Sequence, residues 1–337
     1  MKHAIRATFL AGIAAVALTA MSGERVYAQA ADPNAAPNPY KMQDNWAQLP
    51  VDRKFGQVIK VQVDHSDGKS IWAFDRCGAT ECTNSPLAPI QKFDPSGKFV
   101  TAIGANMFTS PHSLFVDNKG NVWAGSQYAR NGKGADLIEF APDGKVLMTI
   151  GKTGMPGNDQ EHLTGTSAVV VAPNGDIYVV DGHGQGTNDR IVKFSKDGKF
   201  ILAWGKHGKG QGEFDTPHGI ALDSQGRVYV SDRANNRVQV FDPSGKFIAE
   251  WKQFGRPSDV AIDANDMIYV ADSQSTDKVN PGFKQGIRIG SVKDGKVTAF
   301  ISQLPGEDGA EGVGVDAAGN VYGGWTDKRT MRKFAKQ

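Results

Sequence analysis

The stretch Thr216–Trp251, TPHGIALDSQGRVYVSDRANNRVQVFDPSGKFIAEW, decides the fold. It divides into four short runs. Ile220–Leu222 and Arg227–Ser231 flank a turn at Asp223–Gly226, and Arg237–Phe241 and Phe247–Trp251 flank a turn at Asp242–Gly245. Each run is β-branched or aromatic and each break carries Gly, Asp, Ser or Pro, which reads as an antiparallel meander. One meander of this size cannot bury both of its faces. It requires copies of itself on either side.

The copies are present. Asp-x-x-Gly-x-aromatic/Val runs through Asp223–Val230, Asp117–Trp123 and Asp316–Tyr322, and returns with variations at Ala172–Val179, Asp263–Val270 and Asp64–Ala73. The second half, Phe-x-x-x-Gly-Lys-Phe, recurs at Phe93–Phe99, Phe194–Phe200 and Phe241–Phe247. Looser versions lie at Phe140–Val146 and Ser291–Val297. The turn glycines Gly97, Gly144, Gly198, Gly245 and Gly295 fall about 50 residues apart, the period of a four-stranded propeller blade. The pattern predicts an all-β, six-bladed β-propeller, and the repeat resembles the NHL repeat.

The first 30 residues read as a secretory signal. Lys2 and Arg6 form a basic start, Phe9–Met21 an apolar centre, and Ala28-Gln29-Ala30 a small-x-small site with cleavage after Ala30. The apolar run is too short for a retained membrane span, so a periplasmic or secreted protein is expected. Residues 31–40 read as a disordered leader and 41–337 as the propeller. The sixth blade, from Glu311, supplies only three strands. Lys41–Phe55 is therefore expected to pair there as the fourth and close the ring.

The formal charge is 38 − 36 = +2, and removing the signal leaves 35 − 35 = 0. Such a balance gives no reason to expect nucleic acid or an anionic membrane as partner. Cys77 and Cys82 sit close together in one loop and are expected to bridge in an oxidising compartment. Two thiols alone are a poor zinc site. No nucleophilic Ser or Cys motif and no phosphate-binding loop is present.

Propeller geometry states which residues share a rim. The residue opening each inner strand and the loop leaving the next strand lie on one face. The opening positions are Ile59, His112, Ser167, His218, Ser258 and Glu311; the loop positions are Arg76, Tyr128, His183, Arg233, Ser273 and Asp327. His112, His218 and Glu311 belong to alternate blades, about 120° apart in a six-fold ring, and so converge on the axis. Two imidazoles and a carboxylate suit a catalytic zinc with an open position. The plain alternative is that these are solvated channel residues. His183 is the rival third ligand. Arg76 and Arg233 read either as partners of a neighbouring blade or as a clamp for a carboxylate.

SPHSL at Ser110–Leu114, GMPGNDQEH at Gly154–His162, VDGHG at Val180–Gly184, TPHGIA at Thr216–Ala221 and DRANNR at Asp232–Arg237 together resemble peptidyl-α-hydroxyglycine α-amidating lyase. The likeness extends to Trp46-x-x-Leu49-Pro50 and Phe74-x-Arg76. It implies a six-bladed propeller that binds zinc through three histidines and splits a peptidyl-α-hydroxyglycine into a peptide amide and glyoxylate. His112 and His218 match two of those histidines, and Arg76 and Arg233 match the substrate-side arginines. Two positions depart. Glu311, in Gly309-Ala310-Glu311-Gly312, replaces the third histidine, and Gly312 replaces an aspartate that helps hold the family's calcium, so calcium is not expected. His183 replaces the active-site tyrosine.

Two functions follow. One is a divergent metal-dependent lyase or hydrolase, in which His183 moves a proton and Arg76 and Arg233 hold a carboxylate. The other is a non-enzymatic propeller that uses the same rim to hold a small anion, a peptide or a partner protein.

Overall fold

The computed structural model describes Met1 and residues 32–337. The signal segment lies outside the described residues apart from Met1. The chain forms six four-stranded antiparallel sheets. The inner strands are Val58–Val63, Pro111–Val116, Thr166–Val171, Pro217–Leu222, Pro257–Ile262 and Gly312–Val315. The apolar residues that alternate along the strands fill the seams between blades. Trp72, Phe74, Phe108, Leu114 and Phe140, for example, form one continuous cluster from blades one and two.

The repeat motif is a hydrogen-bonded unit. Asp223 Oδ1 accepts the N–H of Gln225 at 3.0 Å and of Arg227 at 2.9 Å, while Oδ2 accepts the Tyr229 hydroxyl at 3.0 Å. Asp263 does the same with Asn265, Met267 and Tyr269, and Asp316 with Ala318, Asn320 and Tyr322. At Asp64 and Asp117 the indole N–H of Trp72 or Trp123 takes the phenol's place. The aspartate closes the turn and anchors the aromatic of the next strand, so the two recur together. Gly226 suits the turn, which places it at φ +74°; in blade five Asp266 takes the same position at φ +57°.

A second regularity positions the site. In the first five blades the pairing of the inner strand with its neighbour slips by one residue. The skipped residues are Ile59, His112, Ser167, His218 and Ser258. These are the opening positions aligned in the sequence. A β-bulge re-aims the side chain it carries and releases backbone groups from the ladder. In blade six the regular ladder begins at Gly312, directly after Glu311.

An N-terminal strand closes the ring, but it is shorter and earlier than Lys41–Phe55. Tyr40–Gln43 pairs antiparallel with Lys333–Lys336 of the last strand. Residues 44–55 cross to blade one instead. There Trp46 is buried, with its ring 5.1 Å from Tyr322 and 6.4 Å from Phe93. The Trp46 backbone lies so close to Gly97 that a Cβ there would fall 1.9 Å from its carbonyl oxygen. The described part of the expected leader is also engaged. Asn34 Oδ1 accepts from Lys284 N and from Arg288 Nη2, and Pro37 O accepts from Phe300 N. Composition alone misled here, because the partner is the Ser273–Lys284 insertion of blade five and its neighbours.

Deleting residues 32–43 should therefore expose the Thr330–Lys336 edge and remove buried Tyr40. Calorimetry should show a melting temperature lower by roughly 5–10 °C, a few kcal/mol for a chain of this size. A chain starting at Asp32 should melt like the parent. Equal melting of the two truncations would contradict closure by this strand.

Candidate functional site

The bulged histidines reach into the channel and grip the next blade. His112 Nδ1 lies 2.7 Å from the carbonyl oxygen of Ser167, and His218 Nδ1 hydrogen-bonds the carbonyl oxygen of Ser258. Ser167 and Ser258 are themselves bulged residues, so each histidine docks on the equivalent residue one blade on. A carbonyl only accepts. Nδ1 must therefore carry the proton, and Nε2 of the neutral ring presents a lone pair to the channel.

His183 arrives from a loop rather than a strand. Gly182 is at φ +148°, its carbonyl accepts the Ser167 hydroxyl, and the His183 N–H donates to Thr187 Oγ1 at 3.0 Å. These bonds direct the imidazole inward. His183 Nε2 is 3.0 Å from His218 Nε2, and the ring centroids of His112, His183 and His218 are 4.4–4.9 Å apart. One ligand atom from each of the three lies within 4.8 Å of the others.

Glu311 stands against this cluster. Its Oε1 is 3.2 Å from His218 Nε2 and 3.2 Å from Arg233 Nη1. Ser273 donates to Oε2 at 2.6 Å, and Ser258 Oγ stands 2.5 Å from Ser273 Oγ. Arg76 faces the same space from blade one. Its Nη1 donates to Gln57 Oε1 at 2.6 Å and its Nη2 to Gln127 Oε1 at 3.2 Å. Arg233 Nε is buried with no partner among the described residues. Gln57, Arg76, His112, Gln127, His183, Arg233 and Glu311 line a cavity of about 230 Å³.

The electrostatics suit metal ligation. Burial lowers the pKa of all three imidazoles, and neighbouring charge adds to it: His183 and His218 at His112, His218 and Arg233 at His183, and Arg233 at His218. His218 is brought down to about 4. Burial works to raise Glu311, but His218 and Arg233 outweigh it and hold the carboxyl well below its usual range. At neutral pH the site thus presents neutral imidazoles and an ionised carboxylate, the forms that bind metal. Glu311 stands outside the set of ligand atoms that lie within 4.8 Å of one another, so it neighbours His218 and Arg233 rather than completing the cluster expected from the sequence.

Beneath the site, Lys60 is buried in an ion pair with Asp259 and reaches the His218 carbonyl at 3.4 Å. Asp259 Oδ2 also accepts the Val313 N–H at 3.1 Å. The pair ties inner strands of blades one, four, five and six together. Sequence reasoning passed it over, although a Lys in VIKVQV and an Asp in PSDVAI are conspicuous among apolar neighbours.

The structure brings His112, His218, Glu311, Arg76, Arg233 and His183 to one mouth of the channel, with His183 inside the imidazole cluster. The loop alignment is off by one residue in three blades, since Gln127, Gln274 and Thr326 line the cavity rather than Tyr128, Ser273 and Asp327. The Tyr128 hydroxyl donates to Glu81 instead. Gln57 and Gln127, which hold Arg76, carried no repeat signal. Among the described residues no helix is long and apolar enough to cross a membrane.

Known proteins are similar to this chain in sequence and in fold. The NHL repeat family matches residues 214–241, the stretch that carries His218 and Arg233. Peptidyl-glycine alpha-amidating monooxygenase B of Xenopus laevis is 28% identical over 326 residues, covering 85% of this chain and 36% of that protein. Peptidyl-alpha-hydroxyglycine alpha-amidating lyase 1 of Drosophila melanogaster is 31% identical over 241 residues, covering 64% of this chain and 42% of that protein. This is an NHL-repeat propeller related to the amidating-lyase-like proteins. The NHL propeller spans about a third of the length of the Xenopus relatives it matches. A streptogramin B lyase structure aligns with TM-score 0.54 at 14% identity, over 88% of this chain and 98% of the other, which shows the shared fold.

Cys77 and Cys82 of the NHL propeller are disulfide-bonded, directly after Arg76. A loop this short contributes about 2 kcal/mol through chain entropy. Reduction should lower the melting temperature by only a few degrees.

The lowered imidazole pKa values set a pH dependence for metal binding. Protons compete with metal only below the ligand pKa, so affinity should stay level from pH 7 to about 5 and fall as pH drops through about 4. Titration with zinc under buffered conditions measures this. A fall beginning near pH 6.5, the value of an ordinary histidine, would contradict the burial argument.

Proposed function

We propose that this protein is an exported, metal-dependent lyase-like enzyme acting on a small or peptidyl substrate that carries a carboxylate. The observation that carries the reading is the convergence of three imidazoles, two buried and that of His183 half-buried, beside two arginines. His112, His183 and His218 would hold a divalent ion, with zinc the first candidate because imidazole suits it. When bound, the ion supplies Lewis acidity to a substrate hydroxyl or carbonyl oxygen.

The chain's own residues do the rest. Arg233 has a buried donor to spare, and Arg76 is held in place by two glutamine side chains. Together they suit a carboxylate, and a guanidinium fixed before binding loses less freedom when it binds. If the substrate is an α-hydroxyglycine derivative, the hydroxyl proton leaves as the C–N bond breaks, and the departing amide nitrogen gains a proton. His183 was expected to move that proton. As a ligand it cannot do so freely, so the reading assigns His183 to the ion and leaves proton transfer to water or substrate.

The alternative is a binding propeller that holds a small anion or peptide at the same mouth without chemistry. The arginines favour it equally; the imidazole cluster does not. Export is supported by the disulfide, which persists in oxidising compartments.

Metal analysis of the purified protein and an assay for glyoxylate release from an N-acyl-α-hydroxyglycine test the proposal together. About one divalent ion per chain and measurable turnover are expected. His218→Ala should weaken zinc binding beyond the roughly 10–100-fold typical of a lost outer-shell partner. Arg233→Met should lower kcat/KM roughly 10–100-fold through a lost charged hydrogen bond. Metal with no turnover on any carboxylate substrate would favour the binding reading. Zinc held as tightly by His218→Ala as by the parent would remove the metal centre.

A further inference from the structure

We infer that the far mouth of the channel is a second binding site, shaped for a small organic cation: an apolar body that carries one ammonium group. This goes beyond the metal reading and does not depend on it. The cavity there has a volume of about 390 Å³, larger than the one at the histidine mouth. Sites for small molecules run from roughly 300 to 1,000 Å³. The two cavities share no lining residue. The buried Lys60–Asp259 ion pair stands between them. Each of its members is third in its inner strand, after the opening residue and before the residues that line the far mouth.

The sequence makes this cavity by omission. In every blade one inner-strand residue pairs with the aromatic of the turn motif: Gln62, Phe115, Val170, Ala221, Ala261 and Gly314. All six line the cavity. Blades one to three carry a large side chain at this position, and blades four to six carry alanine or glycine. The small residues leave room beside the walls that the large ones form. Phe115 is half-buried, with its ring 5.1 Å from that of His65, and the His65 ring is held by a hydrogen bond from Nδ1 to the carbonyl oxygen of Val116. This wall can receive the apolar part of a ligand.

The charge at this mouth is one-sided. No lysine or arginine lines the cavity, whereas Asp223, Asp263 and Asp266 do. Arg227 pairs with Asp223. Asp263 and Asp266 are half-buried and form no ion pair among the described residues. Asp263 accepts from the N–H groups of Asn265 and Met267 and from the Tyr269 hydroxyl. Asp266 accepts from Ser224 N at 2.9 Å and Ser224 Oγ at 2.6 Å. A carboxylate offers about four lone-pair sites, so each keeps room for a further donor. Both belong to blade five, three blades from Phe115 and so across the ring from it. A molecule that spans the mouth meets an aromatic wall at one end and two carboxylates without a counter-charge at the other. A neutral apolar molecule would leave those carboxylates uncompensated, and an anion would be repelled by them. A hydrated metal ion would gain nothing from the apolar walls. An ammonium group on an apolar body satisfies both ends.

Calorimetric titration of the purified protein with 4-phenylbutylamine at low ionic strength tests the inference, with 4-phenylbutanol as the neutral control. The amine should bind in a ratio of about one per chain, and the alcohol about 5-fold more weakly, as expected for a partly exposed charge pair. Asp266→Asn removes the charge, and asparagine tolerates the positive φ of this position. It should weaken the amine by about 5-fold and leave the alcohol unchanged. Ala264→Arg puts a cation on the rim at an exposed residue, where folding is undisturbed, and should lower amine affinity at least ~10-fold. Equal affinity of the parent for amine and alcohol would overturn the assignment of a cation. Amine binding unchanged in both variants would overturn the assignment of the far mouth. A folded parent that binds no amine would overturn the inference outright. None of these results touches the metal centre, whose failure is read separately from zinc content.

Discussion

The hydrogen bond from a bulged histidine to the carbonyl of the bulged residue one blade on is the constraint on which the site depends. It fixes three things together. It sets the ring position of His112 and His218, it assigns the proton to Nδ1, and it ties blade two to three and blade four to five at the channel wall. Without the bulge, the opening residue would remain in the ladder and its carbonyl would be paired within its own blade. The repeat thus supplies a site at low cost. Any blade can present a side chain to the axis at this position, and serine, isoleucine or histidine there decides whether the position is chemical or inert.

The rest of the mouth follows from charge. His112, His183, Arg76, Arg233 and Glu311 line one small cavity, His218 stands against His183 and Glu311, and the buried Lys60 ammonium reaches the His218 carbonyl. Buried charges persist only when paired and hydrogen-bonded. Asp259 neutralises Lys60, Glu311 offsets Arg233, and Gln57 and Gln127 bind Arg76 as dipoles. An anionic ligand would meet two cations already in place. This is the electrostatic ground for the carboxylate substrate proposed above.

Much of this was legible in the sequence. The fold was, because Asp-x-x-Gly-x-aromatic is a physical unit in which one carboxylate caps a turn and holds the next strand's ring; five of six copies keep the aspartate, and Ala172 marks the exception. The alignment of the opening residues was, because the bulge recurs at one repeat position, whereas the loop positions slipped by one in three blades. Three features were not. The N-terminal segment has leader-like composition and gains its partners only from an insertion more than two hundred residues on. His183 was on the aligned rim and named as the rival third ligand, but the loop bonds that aim its ring inward are described by no repeat. The glutamines around Arg76 and the serine behind Glu311 are ordinary residue types whose roles arise only from tertiary contact. Relationship to the amidating-lyase-like proteins supports the architecture.

X-ray absorption at the metal edge of the purified protein tests the central claim most directly, since it counts the atoms bonded to the ion and separates imidazole from carboxylate scattering. The account predicts an ion bonded to three imidazole nitrogens, with at least one further light-atom ligand. A shell without multiple imidazoles, or one dominated by sulfur or water, would contradict it.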